Sequence, residues 1–180
     1  TFARDRQPLH VTIEGNRVSR LGGQQAYAIY LDDFANGVRV LRNQLIDNPG
    51  GMQLHNAFDN EIAGNAFVNS QRQHILFNET ADVASIAGNR VHGNRFTSAG
   101  DVPVYRLWSH HGDRHVTRFA DFQRNRYRST PAHFAEVEGR GALAFDQWLA
   151  GSGAGDDAGP ATDAAPKLRG SARAVRRPPP

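Results

Sequence analysis

The sequence predicts an all-β fold, a parallel β-helix, and three observations carry that prediction. The stretch Ala28-Ile29-Tyr30-Leu31-Asp32-Asp33 returns 23 residues later as Gly51-Met52-Gln53-Leu54-His55-Asn56, and 23 later again as His74-Ile75-Leu76-Phe77-Asn78-Glu79. Each copy alternates apolar and variable residues, the period of a strand, and strands recurring every ~20–30 residues mark a stacked solenoid. A second pattern, a short apolar strand running into Asn, recurs at Asn16, Asn43, Asn65 and Asn89, spaced 27, 22 and 24 residues apart. The composition agrees: 39% hydrophobic residues and a mean hydropathy of −0.58 suit a thin core column fed by a few residues per turn.

Taken in order, the chain opens with no initiating Met, basic segment or apolar leader, and reads as a fragment or a processed chain already inside a repeat by Val11. Residues 11–18, 38–45, 60–67 and 84–91 are the copies of the second pattern. Asn tolerates a left-handed bend, and its amide can pair with the same amide one coil above, so these Asn residues predict a stacked corner ladder. Ile29 and Leu31, Met52 and Leu54, Ile75 and Phe77 are predicted to face inward, joined by Val11, Ile13, Val38, Val40, Ile62 and Ile86. A slip of one residue would turn them all outward, which specifies the register. The period weakens after Phe96. Val104–Trp108 is the next strand of the first type, His110–His115 an exposed loop, and Phe119–Tyr127 one more Asn bend. Residues 141–149 have helix-like apolar spacing and predict a short helix capping the open end of the coil through Phe145, Trp148 and Leu149. The β-helix domain is thus expected over residues 1–150. Residues 151–180, rich in Gly, Ala, Pro and Arg, cannot bury enough apolar area to offset ordering and are expected to be a disordered tail.

Charge and composition narrow the function. Residues 151–180 hold five Lys or Arg against three Asp, so the tail supplies +2 of the chain's net +3. The folded part is nearly neutral, which argues against a nucleic-acid partner. The chain has no Cys, hence no disulfide, thiolate metal site or thiol nucleophile. No apolar run is long enough to span a membrane. His110, His111, Asp113 and His115 form a His-rich cluster, but their spacing matches neither a helix-borne nor a thiolate metal site, and no metal or other cofactor is expected.

If the copies stack in register, Asp32, His55 and Asn78 form one outward column and Asp33, Asn56 and Glu79 another. Tyr30 and Trp108 are outward by alternation, and Gln53 and Arg106 share their face. That surface, with ionisable groups on neighbouring coils, is the predicted functional site.

The segments "AIYLDDFANGVRVLRN" and "GGMQLHNAFDNEIAGNAFVN" resemble those of bacterial right-handed parallel β-helix proteins of the pectate-lyase-like superfamily. The likeness is to members with a "GIYLDD" coil followed by a "G…H…DN…I…N…F" coil, and it runs over roughly residues 9–150. The resemblance implies a right-handed helix and a secreted or periplasmic protein, most often a glycoside hydrolase acting on polysaccharide. In that family Asp32 and Asp33 are the natural catalytic pair. Phe34-Ala35-Asn36 departs from the Gly and Ser that relatives carry there, so the shape of this loop differs.

Glycoside hydrolysis needs one protonated and one ionised carboxyl group flanking the bond. Coils two apart lie ~9.6 Å from one another, so Asp32 or Asp33 with Glu79 comes near the ~6.5–9.5 Å expected for inversion. Asp32 and Asp33 are too close in sequence to face each other across a sugar, although they could share a proton. His55, between the coils, is the candidate to protonate a glycosidic oxygen or hold a carboxylate. The catalytic set is therefore Asp32, Asp33, His55 and Glu79, and the substrate-binding set Tyr30, Gln53, Asn56, Asn78, Arg106 and Trp108. The expected partner is a polysaccharide or oligosaccharide bound by a monomer. Two alternatives stand beside hydrolysis. A β-elimination lyase or uronate epimerase could use His55 and Arg106, but not a Lys base, because the sole Lys is Lys167 in the tail. A non-catalytic β-helix could bind or display glycan, with Asp32 and Asp33 serving only to start a turn.

Overall fold

The computed structural model describes residues 7–80, 84–110 and 115–154. Three strands make one coil, and equivalent strands of successive coils pair in parallel. The first sheet holds β1 (Thr12–Glu14), β4 (Arg39–Leu41), β7 (Glu61–Ala63), β10 (Asn89–His92) and β13 (Ala120–Gln123) in that order. The second holds β2 (Arg17–Ser19), β5 (Gln44–Ile46), β8 (Ala66–Val68), β11 (Arg95–Thr97) and β14 (Arg126–Tyr127). The third holds β3 (Tyr27–Leu31), β6 (Gly50–His55), β9 (Ile75–Glu79), β12 (Tyr105–Ser109), β15 (Ala135–Val137) and β16 (Gly141–Leu143). Only β16 runs antiparallel to its neighbour, closing the third sheet with a hairpin edge.

The 23-residue repeat sets the pairing as expected. Ile29, Met52, Ile75 and Tyr105 stack, and so do Leu31, Leu54, Phe77 and Leu107. All eight are buried, several completely. Each such side chain contributes on the order of 1.5–3 kcal/mol by leaving water. Val38, Val40, Ile62 and Ile86 also join the core, whereas Val11, expected inside, is 45% exposed in the first coil.

The second pattern resolves into two strands separated by a corner, and this corrects the Asn alignment. The ladder runs Asn16–Asn43–Asn65–Asn94–Asn125, each side-chain amide donating to the next carbonyl at 3.0–3.1 Å. Asn89 belongs to a different corner, where it accepts from Asn60 at 3.1 Å. The motif Gly-Asn occurs at both 88–89 and 93–94, and only the positions of β10 and β11 tell them apart. Nor does the ladder Asn itself take the left-handed bend. The residue before it does: Gly15, Arg42, Gly64, Gly93 and Arg124 have φ between 53° and 68°. The Asn is thereby freed to satisfy the backbone, as when Asn65 Nδ2 donates to Val40 O at 2.9 Å and its Oδ1 accepts from Asn43 N at 2.9 Å.

Gly51 marks a tight approach, since a Cβ there would run into the His74 carbonyl oxygen of the next coil. That oxygen accepts the Met52 N–H at 2.8 Å. Gly51→Ala is expected to lower stability by about 1–3 kcal/mol, read as a lower denaturation midpoint with unchanged slope.

The C-terminal cap forms, but later than the spacing predicted. Gly141–Leu143 is strand, and the helix α2 spans Phe145–Ser152 after the four-residue helix α1 (Val116–Phe119). Trp148 is fully buried and stacks on Tyr105 with ring centroids 4.6 Å apart, while Phe145 and Leu149 are partly buried against the core. Helix and following turn carry the packed structure through Ala154, past the expected boundary at residue 150. Most of the expected tail lies outside the described residues, as do His111 and Asp113 of the His-rich cluster.

Candidate functional site

At the end of β3 the chain leaves the sheet in a tight turn, in which Asp32 O accepts the Ala35 N–H at 2.9 Å and Phe34 takes φ 63°. The turn presents Asp32 and Asp33 side by side, and the register brings His55 of β6 next to Asp32. His55 Nδ1 lies 2.8 Å from Asp32 Oδ1 and 3.3 Å from Asp33 Oδ1. One ring nitrogen thus serves both carboxylates, so it carries its proton there. The turn reading and the functional reading of the Asp pair are therefore compatible: the backbone makes the turn and both carboxylates stay available to His55.

The other side of the imidazole is also held. His55 Nε2 is 3.2 Å from Thr80 Oγ1. Asn56 Nδ2 donates to Asp33 Oδ1 at 2.7 Å and to Thr80 Oγ1 at 2.9 Å, while its Oδ1 accepts the Thr80 N–H at 2.9 Å. Asn56 is fully buried, so it fixes the site from beneath instead of lying open to a substrate. Thr80 escaped sequence reasoning because it sits one residue past the last repeat column. Its signal was a hydroxyl 25 residues after His55, close to the repeat length.

Electrostatics set the protonation of two groups. The hydrogen bond from His55 holds the Asp32 carboxyl below the usual carboxylate range, against the opposing effect of burial. The Tyr30 phenol is pushed up to about 12, first by burial and then by its hydrogen bond to Asp32 and the nearby negative charges. Near neutral pH the site therefore has an ionised Asp32 beside a protonated Tyr30, whose ring lies 6.2 Å from that of His55.

Glu79 requires a correction. It was expected on an outward column, but its side chain is fully buried, and Arg118 binds both its oxygens at 2.8 and 2.7 Å. Ser109 Oγ donates at 2.6 Å and the Ile86 N–H at 2.9 Å. Alternation is the reason: with Phe77 inward and Asn78 outward, Glu79 points inward. Burial would raise its carboxyl pKa, but the bonds from Arg118, Ser109 and Ile86 outweigh it and hold the group ionised below its ordinary value. It is an anchor between β9 and α1, its carboxylate taken up by Arg118 and Ser109.

Outward residues of the third sheet line up as two rows. Tyr30, Gln53, Leu76, Arg106 and Glu136 are in register in one. Asp32, His55, Asn78 and Trp108 form the other, with Glu138 following Val137 at its far end. Tyr30 is 49% and Trp108 40% exposed, whereas Gln53 is only 8% exposed, which limits its reach to a ligand. Arg106 pairs with Glu136 at 2.7 Å and sits over the Trp108 ring at 5.7 Å. Beyond Asn78 the surface is concave, forming a cavity of about 500 Å³ lined by Asn78, Trp108, His110, Glu136 and Glu138 among others. The two Glu residues were not anticipated, because the repeat had faded from the sequence before β15.

A solenoid of parallel strands with Asn corners and inward-stacked apolar rows is what a right-handed β-helix requires. The profile of the family described as right-handed β-helix region matches residues 6–113, more than half of the chain. The chain belongs to the right-handed β-helix family. No curated protein and no solved structure matches the chain. The strands after residue 113 extend the same β-helix beyond the matched region, since β13 and β14 continue the first two sheets in register. Among the described residues no helix is long and apolar enough to cross a membrane.

Proposed function

We propose that this β-helix protein processes polysaccharide, with the outer face of its third sheet as the binding surface and Asp32, Asp33 and His55 as the reacting centre of a glycoside hydrolase. The observation that carries the reading is the convergence of two carboxylates on His55 Nδ1 at 2.8 and 3.3 Å, at one end of a row that continues to an exposed Trp. With Glu79 buried, no carboxylate among the described residues two coils away stands on the exposed face as a second acid across the sugar. The ligand atoms of Asp32, Asp33 and His55 all lie within 4.8 Å of one another, so the three groups act as one cluster on one side of a bound sugar.

In this scheme Asp32, held ionised beside Asp33, takes a proton from a water as that water attacks the anomeric carbon. The glycosidic bond breaks as the bond to the water oxygen forms, and the departing oxygen takes its proton from solvent. His55, braced by Asn56 and Thr80, orients both carboxylates. The partner is a polysaccharide or oligosaccharide laid across the coils and bound by a monomer, and the place of action is secreted or periplasmic, where such polymers are met.

The test is Asp32→Asn and Asp33→Asn, singly and together, assayed for reducing-end release and for glycan binding. Cleavage is expected to fall at least about 10²-fold while binding persists. Unchanged release would refute the assignment, and binding without cleavage by the parent would leave a carbohydrate-binding β-helix. A second reading, β-elimination from a uronate, is favoured by one observation: a phenol that stays protonated, Tyr30, stands beside His55. Absorbance from an unsaturated product would select it over hydrolysis.

A further inference from the structure

Resting on the reading of the third sheet as a glycan-binding face, we propose that the cavity beside Trp108 is a subsite for a protonated amino sugar. The polymer this protein takes would then be cationic, not uronic.

The cavity of about 500 Å³ has Trp108 in its wall, and a ring 40% exposed on an otherwise polar face is a platform for a sugar. Trp108 already accepts one cation, the Arg106 guanidinium at 5.7 Å, so its electron-rich face suits a second, smaller one.

Charge then selects the sugar. Arg106 is the basic side chain of the row, and its Nε and one terminal nitrogen both go to Glu136 Oε2 at 2.7 Å. Its charge is answered within the protein. Glu138, exposed at the cavity wall, is oriented by the Ser109 N–H, which donates to its Oε2 at 2.7 Å. The far end of the Trp108 row carries Asp32, with Asp33 next to it in the turn. At the cavity wall Glu136 is answered by Arg106 and buried Glu79 by Arg118, which leaves the Glu138 carboxylate, held by a backbone N–H, on the wall that His110 also lines. The sign is opposite to the chain's net +3. A carboxylate on a concave wall raises the local concentration of cationic ligands. A uronate would be repelled and a neutral ring merely stacked, but an ammonium would gain from both the carboxylate and the ring.

The experiment is titration of the full chain with a glucosamine oligomer, its N-acetylated counterpart and a galacturonate oligomer, below the amine pKa. Binding is followed by calorimetry and by Trp fluorescence, to which buried Trp148 provides a constant background. The amine oligomer is expected to bind about tenfold or more tightly than the acetylated one, and the galacturonate oligomer not measurably. The preference is expected to weaken as salt rises. Trp108→Ala and Trp108→Phe should remove the fluorescence change, and Glu138→Gln should weaken amine binding about fivefold. Asp121→Asn, an exposed acid on the first sheet, should change nothing. Equal or better binding of the galacturonate oligomer, or equal effects of E138Q and D121N, would overturn the proposal. Amine-selective binding with no cleavage of any glycan would leave it standing and remove the hydrolase, whereas cleavage without amine preference would do the reverse.

Discussion

Replacing Arg118 by methionine is expected to destabilise the protein by about 3–5 kcal/mol, the usual cost of stranding one member of a buried ion pair. Glu79 would keep its bonds from Ser109 Oγ and the Ile86 N–H but lose both contacts to the guanidinium. The pH dependence identifies the cause. In the parent, the folded Glu79 carboxyl titrates below its unfolded value. Its contribution is therefore present above the unfolded pKa and is lost as pH falls through the folded one. In Arg118→Met the balance tips toward desolvation, so protonation relieves the penalty and the loss of stability should shrink on acidification. Denaturant titrations of both proteins across the acid range check this. The double variant Glu79→Gln with Arg118→Met should recover much of the loss, because no charge is then left stranded. A loss independent of pH would show that Arg118 acts through packing alone.

The second large effect is expected at the middle of the corner ladder. Asn65 is fully buried. It accepts from Asn43 N at 2.9 Å and Asn43 Nδ2 at 3.0 Å, and donates to Val40 O at 2.9 Å and Asn94 Oδ1 at 3.0 Å. Asn65→Ala leaves several buried polar groups without a partner at about 1–3 kcal/mol each, so a total of at least ~3 kcal/mol is expected. Asn16→Ala, in the exposed first coil, should cost under about 1 kcal/mol, because water can replace what is lost there. Thermal or denaturant unfolding of the two variants measures the gradient. Equal effects at both positions would mean that the ladder does not act through burial.

How much of this was legible can be judged residue by residue. Leu31, Leu54 and Phe77 could be placed in one inward stack because a period-two strand repeated at 23 residues admits one register only. The meeting of Asp32 and His55 followed from the same arithmetic. The Asn corner was legible as a motif but not as a position: 88–89 and 93–94 offer the same Gly-Asn dipeptide, and strand pairing chose between them. Glu79 was misplaced because an outward column was assigned to two consecutive residues, against the alternation that put Phe77 inside. Its partner, 39 residues away on α1, left no local signal.

The sequence by itself determined the coil and the register of the inward apolar rows of the third sheet, because backbone pairing between these strands follows a period that local side-chain alternation writes out. Tertiary structure alone decided which polar groups touch. Those contacts depend on bend geometry and on connections of unequal length between coils, neither of which leaves a periodic trace. That is why Thr80 reaches His55, why Arg118 neutralises Glu79, and why Glu136 and Glu138 stand beside Trp108.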